Sequence, residues 1–105
     1  MKITVSPQAA AWFKEEVGIL PGHGIQFKAK VYGSSPISEG FSLYLEPAMP
    51  NQEIGAEFVA DNDLKFFVDQ EDIWFFDGHD LSVEFDERLK EPKYIYLKDG
   101  KPLNS

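Results

Sequence analysis

The chain has 105 residues, 43% of them hydrophobic and 14% aromatic, enough for one packed domain with little room for a second. It carries 10 Lys and Arg against 18 Asp and Glu, a formal charge of −8. Such a surface repels phosphate backbones and anionic lipid headgroups, so neither nucleic acid nor membrane is an expected partner. It contains no cysteine, which excludes disulfides, thiolate catalysis and Cys-based zinc or iron–sulfur ligation.

No stretch approaches the ~20 apolar residues that span a bilayer. The opening Met1-Lys2-Ile3-Thr4-Val5-Ser6-Pro7 lacks the apolar centre of a signal peptide, and the expected location is cytoplasmic. Residues 2–5 read as a short strand. Ser6 then fits a helix N-cap and Pro7 the first helical position, where a missing N–H costs nothing. Ala9, Phe13 and Val17 recur every four residues beside Ala10 and Trp12, while Lys14, Glu15 and Glu16 stay polar. That is an amphipathic helix closing near Gly18. Pro21-Gly22-His23-Gly24 is a turn.

From Ile25 the period changes to two. Ile25, Phe27, Ala29 and Val31 alternate with Gln26, Lys28, Lys30 and Tyr32, the mark of a half-buried strand. Gly33-Ser34-Ser35-Pro36 interrupts it, and the alternation returns after Gly40 in Phe41, Leu43 and Leu45. All of these odd-numbered apolar residues are expected in one core. Residues 57–60 and 64–68 flank Asp61-Asn62-Asp63 in a hairpin pattern. Asp69 heads a short helix through Ile73-Trp74-Phe75-Phe76, closed by Asp77-Gly78, and residues 80–86 and 94–97 alternate again. The expected fold is α+β, mostly β: a single domain, 1–105, with an N-terminal amphipathic helix and one short late helix.

The side chains that could carry chemistry are sparse. His23 and His79 both fall in turn contexts, and Asp77, His79 and Asp80 could offer nitrogen and oxygen ligands to a divalent ion. Neighbours on a turn point apart, however, and no H-x-x-x-H spacing supports them. A solvated turn is the preferred reading. The acidic groups Asp61/Asp63, Asp69/Glu71/Asp72 and Glu84/Asp86/Glu87 lack the EF-hand spacing and suit turns and helix starts. No serine sits in a G-x-S-x-G elbow, so no catalytic residues are expected and the chain reads as a non-enzyme. Consecutive aromatics in Trp74-Phe75-Phe76 cannot all face one core. Trp74 and Phe75 are therefore candidates for self-association or for another protein partner, with packing across two layers as the plain alternative.

Read in order, the stretch from Gly33 to Leu43, then Val68-Asp69, then Phe76-Asp77-Gly78-His79-Asp80-Leu81-Ser82, resembles the A-type iron–sulfur carriers, the HesB/IscA-like family. The resemblance covers about residues 3–97. Where that family has Cys-x-Gly-[Phe/Tyr], this chain has Ser38-Glu39-Gly40-Phe41, and the family's C-terminal Cys-x-Cys is missing. A serine hydroxyl is a poor ligand for iron that prefers thiolate. The resemblance thus implies a HesB-like fold of small twisted mixed sheets with no cofactor, like the cysteine-free members found in Gram-positive bacteria. It further implies a binding or interaction module linked to iron–sulfur assembly, with any residual site between the 34–40 loop and the C-terminal segment, near Ser38 and Tyr44. The alternative left open is an oxygen- and histidine-ligated metal-binding protein, or a metal-assisted hydrolase, built on Asp77, His79 and Asp80.

Overall fold

A computed structural model describes residues 1–35, 38–50 and 53–103, with the backbone alone at Tyr32, Ser34, Ser38 and Glu39. The chain opens with β1 (Ile3–Val5) and α1 (Pro7–Glu16), followed by the hairpin β2 (Gly24–Ser35) and β3 (Ser38–Ala48). Next come β4 (Ile54–Val59), β5 (Lys65–Asp69), a 3-10 turn (Gln70–Asp72) and α2 (Ile73–Phe76). It closes with β6 (Asp80–Asp86), β7 (Glu91–Lys98) and β8 (Lys101–Pro102). This is the α+β, mostly β architecture expected.

The strands form two four-stranded mixed sheets, ordered β1-β6-β7-β8 and β3-β2-β5-β4. In the first, β1 lies parallel to β6; in the second, β2 lies parallel to β5. The remaining pairs are antiparallel. Ser6 caps α1 by accepting from the Ala9 N–H at 3.2 Å, as its place before Pro7 predicts. The helix ends at Glu16, with Val17 as C-cap, and buries Ala9, Ala10 and Phe13. Aromatic rings join the layers: Phe13 meets Phe66 edge-on at 5.4 Å, Phe66 stacks on Phe27 at 6.2 Å, and Phe27 meets Tyr94 of the other sheet at 6.3 Å. Such edge-to-face and offset pairs are the arrangements the ring quadrupole favours.

The β4–β5 hairpin turns at Asp61-Asn62-Asp63 as its sequence indicates. Asn62 Oδ1 accepts from the Leu64 N–H at 3.1 Å and Asp63 takes φ 68°, an excursion that Asp tolerates. Three expectations change. Gly33-Ser34-Ser35 does not break the strand: β2 runs on to Ser35 with a bulge between Val31 and Ser34, and β3 begins at Ser38. β7 starts at Glu91 rather than near Tyr94, because Pro92 pairs opposite Phe85 from a strand that has a partner along this stretch on one side only, where a missing N–H does no harm. The common core for the β2–β3 alternation also fails at its far end. Ile25 and Phe27 are fully buried, Ala29, Phe41, Leu43 and Leu45 are half-buried, and Val31 is 57% exposed. The cause is register. β2 pairs with β3 from Gly24 to Val31 and, past a bulge, at Ser34 and Ser35, but with β5 only at Ile25 and Gln26. The hairpin therefore outruns the sheet beneath it. Among the described residues, no helix is long and apolar enough to cross a membrane.

Candidate functional site

α2 lies against the overhanging part of the hairpin. Its Phe75 and Phe76 turn into the core and Ile73 packs beside them. On a one-turn helix that leaves Trp74 pointing outward, 55% exposed. The Trp74 ring meets Phe41 edge-on, with centroids 5.0 Å apart. Phe41 pairs across the ladder with Val31, and Gly40 before it takes φ 84°, which glycine adopts without steric cost. Val31, Phe41 and Trp74 thus form an apolar face at the end of the hairpin.

Beside this face lies a knot of negative charge. Carboxylate oxygens of Asp69, Glu71 and Asp72 come within 4.8 Å of one another. Asp69 is buried and accepts from Gln26 Nε2 at 3.0 Å. Asp72 accepts from the Ala29 N–H, occupying β2 just past the point where β5 stops pairing. Burial raises the Asp72 pKa above its ordinary 3.8, and Glu71 and Asp69 push the same way; the Ala29 amide and Lys28 oppose them without cancelling the rise. Lys28 is shared, since its Nζ also lies 3.4 Å from Glu46.

An acid whose pKa is raised on folding favours the fold below its unfolded pKa and loses that contribution as pH rises through the folded value. Asp72→Asn keeps an oxygen for the Ala29 N–H and removes the charge. Its urea midpoint at pH 7 should exceed that of the native protein, and the two should converge below pH 3.8. A variant less stable at pH 7 would show that the carboxylate holds the segment in place more than its burial costs.

The residues singled out from sequence are dispersed. Asp77 is exposed and closes α2 in the left-handed region, φ 47°. His79 does not sit in a solvated turn. It is 8% exposed, and its Nδ1 lies 2.8 Å from the Phe76 carbonyl. Asp80 Oδ1 accepts from the Lys2 N–H at 2.8 Å, tying β1 to β6. These three serve the structure around them, and among the described residues the carboxylates that converge are Asp69, Glu71 and Asp72 instead. Phe75, offered as a surface anchor, is buried at 1%, which leaves Trp74 alone in that role. Tyr44 is exposed but lies three residues from Phe41 on the same strand, hence on the opposite face; its hydroxyl donates to Glu46 at 3.3 Å. Ser38 begins β3 opposite Ser35, and its side chain lies outside the described residues. The Gln26–Asp69 and Asp72–Ala29 contacts escaped the sequence reading because each joins positions more than forty apart, beyond the reach of any periodicity.

No protein-family profile matches the chain, and no solved structure matches it. A Bacillus subtilis (strain 168) protein named pyruvate dehydrogenase inhibitor is 36% identical over 96 residues, which cover 91% of this chain and 99% of that protein. The chain belongs to the family of this inhibitor. An uncharacterised protein of Staphylococcus haemolyticus is 35% identical over 101 residues, 93% of this chain and 100% of its own. Another, of Staphylococcus saprophyticus, is 30% identical over 96 residues, 90% of this chain and 97% of its own. Alignments of this length take in both sheets, so the family shares a domain rather than a motif.

Proposed function

We propose that this chain is a non-enzymatic binding module that inhibits a pyruvate dehydrogenase by docking to it. The observation that carries the reading is the near-complete alignment, in both directions, with the Bacillus protein whose name states that inhibition. The site supports docking over chemistry. Both histidine Nδ1 atoms face backbone carbonyls, His23 at 3.3 Å from Pro21 and His79 at 2.8 Å from Phe76, while an exposed Trp lies at the surface beside a half-buried Phe. Trp is among the residues that most often carry the energy of protein interfaces. The A-type carrier scaffold that the sequence resembles would here serve protein contact without a cluster, since the chain has no thiolate to hold one. A cytoplasmic place of action belongs to the same reading.

The test is direct. Titrating the purified chain into the pyruvate dehydrogenase of the same organism should lower the rate of pyruvate oxidation in a saturable way, with the two proteins co-eluting on gel filtration. Full activity at a large molar excess, with separate elution, would remove the proposal.

A further inference from the structure

We infer that the face formed by Val31, Phe41 and Trp74 takes a partner segment with an apolar anchor flanked by arginine or lysine. Two features of the same end of the molecule combine here. The first is apolar: Trp74 and Val31 are each more than half exposed, and Phe41 beneath them is only half-buried. The second is charge. Asp72, only two residues before Trp74, is held to Ala29, two residues before Val31, and brings Glu71 and Asp69 with it.

Of the acids beside the face, Glu71 is exposed and Asp72 is only half-buried. The base acting on Asp72 is Lys28, which Glu46 also engages, and an approaching cation would offset the like-charge crowding of Asp72 by Glu71 and Asp69. An apolar centre beside the carboxylates of Glu71 and Asp72 complements a hydrophobic side chain set between guanidinium or ammonium groups, which pair with carboxylates at short range and steer the encounter at long range. A second copy of this chain fits badly. Its own net charge is −8, and an isologous contact would set one acidic knot near another.

The inference deepens the inhibitor reading and borrows from it only the identity of the partner, so the two can fail separately. The first experiment uses the pyruvate dehydrogenase of the same organism and four forms of the chain: native, Trp74→Ala, Glu71→Lys and the pair Glu71→Gln with Asp72→Asn. Circular dichroism confirms that each is folded. Trp74→Ala should weaken binding about 30-fold or more, the effect of losing a central interface residue. The charge variants should weaken it about 10-fold, chiefly through slower association, and raising salt from 50 to 300 mM should weaken the native protein in the same direction. Glu71 is exposed, so its replacement leaves the fold intact even if Trp74→Ala does not. If native protein inhibits and the Trp74 and Glu71 variants inhibit equally well, this face is not the docking surface, while the inhibitor reading stands.

If native protein does not bind that enzyme, the inhibitor reading falls and synthetic peptides decide the docking chemistry. In a Trp12→Phe background Trp74 is the one tryptophan left. A leucine-centred peptide flanked by arginines should change its emission, and the same peptide with glutamates should not. Equal responses, or none, would overturn the inference, as would concentration-dependent dimerisation abolished by Trp74→Ala.

Discussion

Phe66→Ala is expected to lower the free energy of unfolding by about 3–5 kcal/mol, the usual cost of emptying a buried phenylalanine site. Phe66 is fully buried at 0% exposure and lies between the ring of Phe13 on α1 and that of Phe27 on β2. Its backbone pairs with Ile25 in the short parallel contact between β2 and β5. Removing the ring leaves a void bounded by a helix and two strands, which cannot close together without disturbing that pairing, so relaxation should recover little. Leu43→Ala provides the contrast. Leu43 is half-buried on the overhanging hairpin, has water on part of its surface already, and should cost less than about 2 kcal/mol. Urea unfolding at pH 7 with unchanged m-values checks both. A Leu43 cost equal to that of Phe66 would mean that the hairpin belongs to the main core.

Gly24→Ala should be the most damaging addition of a single methyl group. Gly24 opens β2, and a Cβ placed there would fall on the backbone carbonyl oxygen of Lys65, 3.2 Å from its carbonyl carbon and 3.3 Å from its Cβ. The demand is for space, since the φ of Gly24 lies outside the left-handed region that favours glycine. A flexible side chain could swing away; a strand carbonyl cannot without moving β5, which begins at Lys65 and holds both β2 and β4. Overpacking costs about 1–3 kcal/mol and more when backbone must shift, so this variant should fall at the upper end. Gly18→Ala is the control, because nothing lies within 4 Å of the added carbon. It should be neutral or stabilise by about 0.4–1 kcal/mol through the unfolded state. Matching thermal midpoints for Gly24→Ala and the native protein would show the β2–β5 junction to be wrongly placed.

The local elements were legible in the sequence because short-range physics builds them. Ser6-Pro7 before an Ala9/Phe13 spacing defines a capped amphipathic helix, and α1 begins at Pro7. Alternation from Ile25 and from Phe41 defines strands, and a polar triplet at residues 61–63 defines the turn of a hairpin. Composition by itself determined that no thiolate chemistry is available. What periodicity could not set was how far each strand is covered. An alternating strand reads the same whether its neighbour spans two residues or eight, and only the tertiary register, β5 meeting β2 at Ile25 and Gln26 alone, exposes Val31. The same holds for the aromatic run: that Phe75 enters the core and Trp74 leaves it depends on which face of α2 the fold turns toward the core. His79 shows it for polar groups, since a turn motif suggested water and the fold supplied the Phe76 carbonyl in a buried place. The acidic knot is the furthest from the sequence. Acids at 69, 71 and 72 look like ordinary helix-start residues, and only when the fold carries Gln26 and Ala29 to them do they become a charged border to an apolar face. Local propensity acts over a few residues along the chain, whereas burial and charge environment are set by whatever the fold brings alongside.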